Sequence, residues 1–215
     1  MPDILDNKLL ALNYIKQQII TCAMPPGSVV PVGEIAAQLG ISKTPVREAL
    51  LELQHDNYVN VVPRKRTTVS QISLQDLRDI YDARSLVEIH MIRTLPPEVL
   101  EKKQESLLRL RAFWDNVDMA DSSRETYLAF LDADVAFHKE LVRLNGNAHL
   151  VRFCDELILK SQRFWYMALF NNRRDLVQRE HLQILDCLLH GDAQGAADSC
   201  QKHISISKTM SILSD

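Results

Sequence analysis

Long apolar runs are missing from this chain of 215 residues. No segment approaches a run of about eighteen apolar residues, the length that a transmembrane helix needs. The N-terminus carries Asp3 and Asp6, whereas a secretory signal peptide would carry basic residues followed by an apolar run. Internal repeats and low-complexity segments are missing as well. We therefore expect a soluble, cytoplasmic, globular protein without a membrane partner.

Paired cysteines are also missing. The four cysteines are widely separated, and none of them forms the CxxC spacing of zinc and redox motifs. Three of them occur among apolar positions of predicted helices: Cys154, Cys187 and Cys200. We interpret these three and Cys22 as reduced packing residues, and a metal or redox role is the less favoured alternative.

An excess of positive charge is the third missing feature. The formal net charge is −3, so the chain as a whole does not indicate a nucleic-acid partner. Residues 1–72 nevertheless contain seven Lys and Arg against six Asp and Glu, whereas residues 73–215 contain eighteen against twenty-two. Local positive charge can bind phosphate even on an acidic chain. In the first part it is concentrated at five positions: Lys43, Arg47, Arg64, Lys65 and Arg66.

Three short helices are predicted in the first part of the chain. Apolar residues recur at helical spacing over residues 7–22, and the segment Pro-Pro-Gly at 25–27 ends this pattern. The residues expected to face inward are Leu9, Leu12, Ile15, Ile19 and Ile20. A second helix fits residues 32–39 and ends at Gly40. A third begins at residue 42 or 44 and reaches about residue 56.

A hairpin and a long helical region follow the third helix. The β-rich runs YVNVVP and TTVSQI flank the basic triplet RKR, which predicts two short strands joined by a turn. From residue 73 onward the apolar pattern is helical throughout. Proline and polar turn segments divide this region into about six helices, which is typical of a helical bundle.

The stretch GISKTPVREALLEL, residues 40–53, carries the main functional signal of the first part. Two helices packed across a tight turn need a small residue, a glycine and a branched apolar residue, and Ala36, Gly40 and Val46 supply them. The inward face of the third helix then consists of Val46, Ala49, Leu50 and Leu53. Its exposed N-terminal end, which enters the major groove in a helix-turn-helix, carries Lys43, Thr44 and Arg47.

An ordinary helical hairpin with a solvated basic edge is the alternative interpretation of this stretch. The basic hairpin favours a winged helix-turn-helix, because Arg64, Lys65 and Arg66 add a second surface for the phosphates or the minor groove of double-stranded DNA. One recognition helix contacts too few bases for a specific site, so we expect a homodimer on a palindromic operator. The predicted fold is mainly α, with a winged helix-turn-helix in residues 1–72 and an all-α bundle in residues 73–215.

Three histidines and one carboxylate are candidate metal ligands in the bundle. Asp134 and His138 are four residues apart, which places them on one helical face, and His181 and His203 lie on the apolar sides of later helices. Each histidine alone is readily explained as a buried packing residue. Together the four suit Zn²⁺ or another borderline divalent ion such as Ni²⁺ or Mn²⁺. The remaining histidines are interpreted as structural: His55, His90, His149 and His190.

Several segments together resemble the GntR-type transcription regulators of the FadR subfamily, which carry an FCD effector domain. These segments are PPGSVV, EIAAQLGISKTPVREALLEL, VVPRKRTTV and the helical region that follows. The resemblance implies that Asp134, His138, His181 and His203 hold a metal and that its open positions receive a small carboxylate effector. The chain departs from the family pattern at two places. Many members have Arg where this chain has Lys43, and most have a glycine in the wing near Arg66, where this chain has none.

Arg84 is the candidate effector-binding residue. It interrupts an apolar helical stripe, and a buried arginine needs a partner because an unpaired buried charge is too costly. The partner is either Glu88, four residues further on the same helix, or the carboxylate of an anionic effector. The sequence leaves both alternatives open.

The expected function is therefore DNA-binding transcriptional regulation rather than catalysis. We expect a repressor whose operator binding is modulated by a small carboxylate in a metal-containing helical pocket. The alternative is a metal-dependent hydrolase domain fused to a DNA-binding module, since a metal with open positions can activate water. The HExxH motif of zinc peptidases is missing, and no second carboxylate lies one turn from His181 or His203 on its inward face.

Overall fold

A computed structural model describes residues 4–61, 66–117, 121, 123–168 and 173–213. Within these residues the chain forms nine helices and one two-stranded antiparallel sheet, which confirms the expected mainly α fold. The chain divides into two compact units, Met1–Ser73 and Leu74–Asp215. None of the helices in the described part of the chain is long and apolar enough to cross a membrane.

The first unit consists of three helices and a hairpin. Its elements in chain order are α1 (Ile4–Ile20), α2 (Val32–Leu39), α3 (Lys43–His55), β1 (Val59–Val61) and β2 (Thr67–Val69). The strands pair with Val59 opposite Val69, and Val29 forms an additional bridge to Thr68. The expectation that Leu9 faces the core is wrong, because its side chain is 55% exposed and Ala11 is buried instead.

The turn between α2 and α3 is closed by Gly40. This residue has a left-handed backbone conformation, with φ 66° and ψ 28°, and its N–H donates to the carbonyl oxygens of Ala36 and Ala37. A side chain at this position would strain the turn, because L residues with a Cβ atom rarely adopt positive φ. Pro45 lies in the first turn of α3, where its missing N–H leaves no helical hydrogen bond unmade. The sequence of the turn thus fixes where α3 begins.

The second unit is all helical in the residues that the structure describes. Its helices are α4 (Leu74–Arg93), α5 (Pro97–Asp115), α6 (Arg124–Arg143), α7 (Ala148–Ala168), α8 (Arg174–Leu189) and α9 (Ala193–Leu213). Helix α4 packs against α6, α7 and α9, and α8 packs against α5 and α9. Trp114 is fully buried at the centre and makes edge-to-face contacts with Phe130 and Phe137 at centroid distances of 5.6 and 5.7 Å. The helices therefore converge on an aromatic core.

The cysteines are all free thiols. Cys154 and Cys200 are fully buried, whereas Cys22 and Cys187 are partly buried. Burial raises the pKa of the Cys154 and Cys200 thiols well above their ordinary range, so both stay protonated at neutral pH. These properties are those of packing residues rather than of reactive cysteines.

Candidate metal centre and DNA-binding surface

Four side chains from three helices of the second unit converge at one point. Asp134 and His138 come from α6, His181 from α8 and His203 from α9. One ligand atom of each residue lies within 4.8 Å of the ligand atoms of the other three. The structure thus brings together all four residues that the sequence predicted as metal ligands.

Burial sets the protonation state of the three imidazoles. His138, His181 and His203 are all buried, and this burial lowers the pKa of each ring below its ordinary value of 6.5. At neutral pH the three rings are therefore uncharged. Uncharged imidazole is the form that binds a metal ion, so the burial prepares the rings for ligation.

His138 and His203 face each other through the same ring atom. Their Nε2 atoms are 3.1 Å apart, while the Nδ1 of His138 lies 2.8 Å from Glu88 Oε2 and the Nδ1 of His203 lies 2.7 Å from Glu180 Oε2. An ionised carboxylate can only accept hydrogen bonds, so each Nδ1 carries the proton and each Nε2 presents a lone pair. Two facing lone pairs repel unless a cation lies beside both.

The separation of these two nitrogens fits a shared metal ion. Two nitrogens that each bind one ion at about 2.1 Å lie roughly 3.0 to 3.4 Å apart for bond angles between about 90° and 109°. The observed distance between the Nε2 atoms of His138 and His203 is 3.1 Å. The donor set of three imidazoles and one carboxylate also suits a borderline divalent ion. These residues therefore form a possible metal site.

His181 completes the centre from the aromatic core. Its ring stacks on Phe137 at a centroid distance of 3.8 Å and meets Trp114 edge-on at 4.3 Å. Among the residues that the structure describes, neither of its ring nitrogens has a hydrogen-bond partner, although Nε2 lies 3.3 Å from Asp134 Oδ1. A fully buried imidazole is costly when Nδ1 has no partner in the described part of the chain and Nε2 has only the longer contact with Asp134, and coordination of one nitrogen to a metal ion would lower this cost.

Asp134 supplies the negative charge of the cluster. Its side chain is partly exposed, and burial works against its ionisation. The imidazoles around it, His181 first among them, nevertheless hold the pKa of this carboxyl below its usual range. Asp134 is thus ionised at neutral pH and could serve as an anionic oxygen ligand.

Arg84 lies on α4 and pairs with Glu88, the intrahelical partner that the sequence offered. Its Nε donates to Glu88 Oε1 at 2.7 Å, and its Nη1 donates to Ser161 Oγ on α7 at 2.8 Å. Within the described part of the chain its buried Nη2 has no hydrogen-bond partner. Burial opposes the charge on Glu88, but Arg84 and His138 outweigh it and lower the pKa of Glu88 to about 2. The ion pair is therefore fully charged, and one guanidinium nitrogen is left over.

Tyr127 adds a second buried donor that the sequence did not reveal. Its hydroxyl has no hydrogen-bond partner among the residues described by the structure. Burial, followed by the negative charge of Asp134, raises the pKa of this hydroxyl to about 12, so it remains protonated. Tyr127 can therefore donate a hydrogen bond to an acceptor, and its hydroxyl lies close enough to Asp134 to be influenced by that charge.

The predicted DNA-contacting residues lie on the surface of the first unit where the structure describes them. Lys43, Thr44 and Arg47 occupy the first turns of α3 and are exposed, while Pro45, Val46, Ala49, Leu50 and Leu53 of this helix are buried. Arg66 is exposed directly before β2. Arg64 and Lys65 lie outside the described residues. The basic end of α3 is thus available to a partner.

Family models match both units of the chain. The model named "Bacterial regulatory proteins, gntR family" matches residues 11–69, and the FCD domain model matches residues 79–205. The chain belongs to the gntR family of regulators with an FCD domain. The resemblance seen in the sequence is confirmed. A gntR-type helix-turn-helix implies DNA binding, and an FCD domain implies a small-molecule effector.

Similar proteins include other regulators of transcription. An HTH-type transcriptional regulator in an unstable DNA locus of Streptomyces ambofaciens is 27% identical over 88% of this chain and 78% of the relative. The Probable D-xylose utilization operon transcriptional repressor of Paenarthrobacter nicotinovorans is 28% identical over 90% of this chain and 83% of the relative. A GntR crystal structure from Rhodococcus sp. RHA1 has a TM-score of 0.77 at 18% identity and covers 95% and 97% of the two chains. The latter likeness concerns the fold alone.

Two carboxylates at the centre of this gntR-family protein escaped the sequence analysis. The sequence indicated Glu88 only as a partner of Arg84, and it did not indicate Glu180, which accepts the Nδ1 hydrogen bond of His203. Glu180 belongs to α8 and His203 to α9, so helical spacing could not reveal the contact. The four histidines expected to be structural are all exposed: His55, His90, His149 and His190.

Proposed function

We propose that this protein is a homodimeric repressor whose binding to a palindromic operator is modulated by a small carboxylate at a zinc-containing centre. Lys43, Thr44 and Arg47 would contact base edges and phosphates in the major groove. The wing residues Arg64, Lys65 and Arg66 would contact the DNA backbone. We propose repression rather than activation because the relative from P. nicotinovorans is named a repressor.

The facing Nε2 atoms of His138 and His203, with the unsatisfied His181 ring beside them, are the observation that carries the metal assignment. Asp134, His138, His181 and His203 would hold the ion. We assign zinc because three imidazoles and one carboxylate suit a borderline ion, and nickel or manganese would be accepted by the same donors. When bound, the ion supplies a positive charge and open positions for an anionic ligand.

Arg84 and Tyr127 would bind the effector beside the metal. Both have a buried donor atom, Nη2 and the hydroxyl, without a hydrogen-bond partner in the described part of the chain. A carboxylate offers acceptor oxygens and one negative charge, which match a guanidinium and a protonated hydroxyl. Arg84 can therefore bind both of the partners that the sequence left open, because its Nε binds Glu88 while its Nη2 stays available for the effector carboxylate.

The hydrolase alternative is less well supported. A metal-dependent hydrolase needs a general base within reach of its water. Glu88 and Glu180, the two carboxylates found beside the histidines, each accept a hydrogen bond from an imidazole and from an arginine. The relatives named above are regulators of transcription.

Metal analysis of protein purified without chelators tests the assignment. We expect roughly one divalent ion per chain and its loss in His181→Ala and in His203→Ala. His149→Ala is the matched control, because His149 is exposed on α7 and should leave the metal content unchanged. Full occupancy in both His181→Ala and His203→Ala would rule out this centre.

A further inference from the structure

We propose that Glu180 is a positioning residue of the metal centre and sets its affinity by orienting His203, with Glu88 in the same role toward His138. This inference rests on the metal site proposed above. It starts from a continuous chain of side chains in which each histidine contacts one carboxylate and each carboxylate contacts one arginine. The sequence of contacts is Arg84, Glu88, His138, His203, Glu180 and Arg173.

The two halves of this chain have the same chemistry. Arg84 Nε donates to Glu88 at 2.7 Å and Arg173 Nη2 donates to Glu180 at 2.6 Å. Each carboxylate uses its other oxygen to accept from a histidine Nδ1. A histidine that donates Nδ1–H to a carboxylate has its ring orientation and tautomer fixed, and its Nε2 becomes a stronger ligand. Both rings are thus held with Nε2 toward the centre.

The halves differ in burial, which decides where the role can be tested. Glu88 is fully buried, so removing its charge would strand the buried Arg84 and threaten folding. Glu180 is partly exposed, with 20% of its side chain accessible, although its partner Arg173, the residue before α8, is only 9% exposed. Solvent reaches the carboxylate of Glu180, so the loss of its charge should cost less than the loss of the fully buried Glu88 charge. Glu180 is therefore the carboxylate whose replacement reports more directly on the metal centre.

Glu180→Gln is the decisive variant, because the amide keeps the shape of the side chain but is a weaker acceptor for His203 Nδ1. Zinc affinity measured by competition with a chelator should fall about 10- to 100-fold. Long-range ¹H–¹⁵N spectra of the zinc-free protein should show that the His203 proton is no longer confined to Nδ1. Asp175→Asn is the matched control, since it removes one carboxylate from the exposed first turn of the same helix and should change neither reading.

Two variants separate this inference from the proposed centre. Retention of zinc by His203→Ala would contradict the centre itself. Loss of zinc in His203→Ala together with parental affinity and an unchanged His203 tautomer in Glu180→Gln would overturn the positioning role alone. Arg173→Gln gives a second, independent reading, and we expect a smaller loss of affinity because Glu180 keeps its charge.

Discussion

The Arg84–Glu88 pair leads to a quantitative prediction about stability. Both side chains are almost completely buried, at 6% and 0% exposure, and their charged atoms are 2.7 Å apart. Glu88→Gln keeps the size of the side chain but leaves a buried guanidinium without a counter-charge. Removal of one partner of a buried ion pair costs about 3 to 5 kcal/mol, because the remaining charge has lost its solvation and its partner. We expect the free energy of unfolding of the second unit to fall by this amount.

The chain contains a matched control for this prediction. Glu140 and Arg143 form an ion pair of 3.0 Å on one helix, but their side chains are 60% and 45% exposed. Glu140→Gln should cost less than about 1 kcal/mol, because water screens an exposed pair and solvates the arginine that remains. The two variants therefore remove the same charge with the same isosteric change at different burial.

Thermal unfolding followed by circular dichroism in a chelator measures both variants without a contribution from bound metal. At about 2 to 4 °C per kcal/mol for a domain near this size, Glu88→Gln should lower Tm by roughly 6 to 20 °C, and Glu140→Gln by no more than about 4 °C. Equal shifts for the two variants would refute the reasoning, since burial would then have no influence on the cost of the unpaired arginine.

Three further predictions concern pH, DNA and the effector. In a chelator, Tm should fall as the pH is lowered below about 6.5. The pKa values of the three buried imidazoles are lowered in the folded protein, so the unfolded chain takes up protons first. An unchanged Tm between pH 7 and pH 5 would contradict the conclusion that these rings are buried in their uncharged form. Arg47→Ala should weaken operator binding by roughly 1 to 3 kcal/mol in gel shifts, whereas Lys65→Ala should weaken binding to all sequences alike and reduce its salt dependence. The effector can be sought as a carboxylate that raises Tm of the zinc-loaded protein. Tyr127→Phe and Arg84→Lys should each weaken the binding of this carboxylate. Unaltered affinity in both variants would show that Tyr127 and Arg84 do not belong to the effector site.

The sequence was most informative where one residue type has few alternatives. Gly40 and Pro45 bracket the turn before α3, and the predicted bounds of α2 agree with the structure. Asp134 and His138 could be paired because helical spacing places residues four apart on one face. Leu9 was expected to face the core and is exposed. The spacing of apolar residues shows which side of a helix is apolar, but it does not show how much of that side the neighbouring helices cover.

Contacts between helices were the part that the sequence could not supply. Glu88 reaches His138 from α4, Glu180 reaches His203 from α8, and Tyr127 lies three turns before His138 on α6. These relations depend on the rotation and offset of packed helices, which leave no regular spacing along the chain. A metal site can thus be recognised from its ligands, while the residues that orient those ligands need a structure.

Arg84 connects the proposed effector to the proposed metal through two hydrogen bonds. Its Nε binds Glu88, and Glu88 binds His138 Nδ1, so an effector held by Nη2 acts on the same guanidinium that supports a metal ligand. If the effector binds more tightly to the metal-loaded protein, the metal must bind more tightly to the effector-loaded protein by the same factor, because the coupling free energy is shared. This linkage also limits regulation of DNA binding, since the effector can shift the regulator between two states only by its difference in affinity for them. A carboxylate that binds equally well with and without zinc would therefore not use Arg84 and the metal as one site.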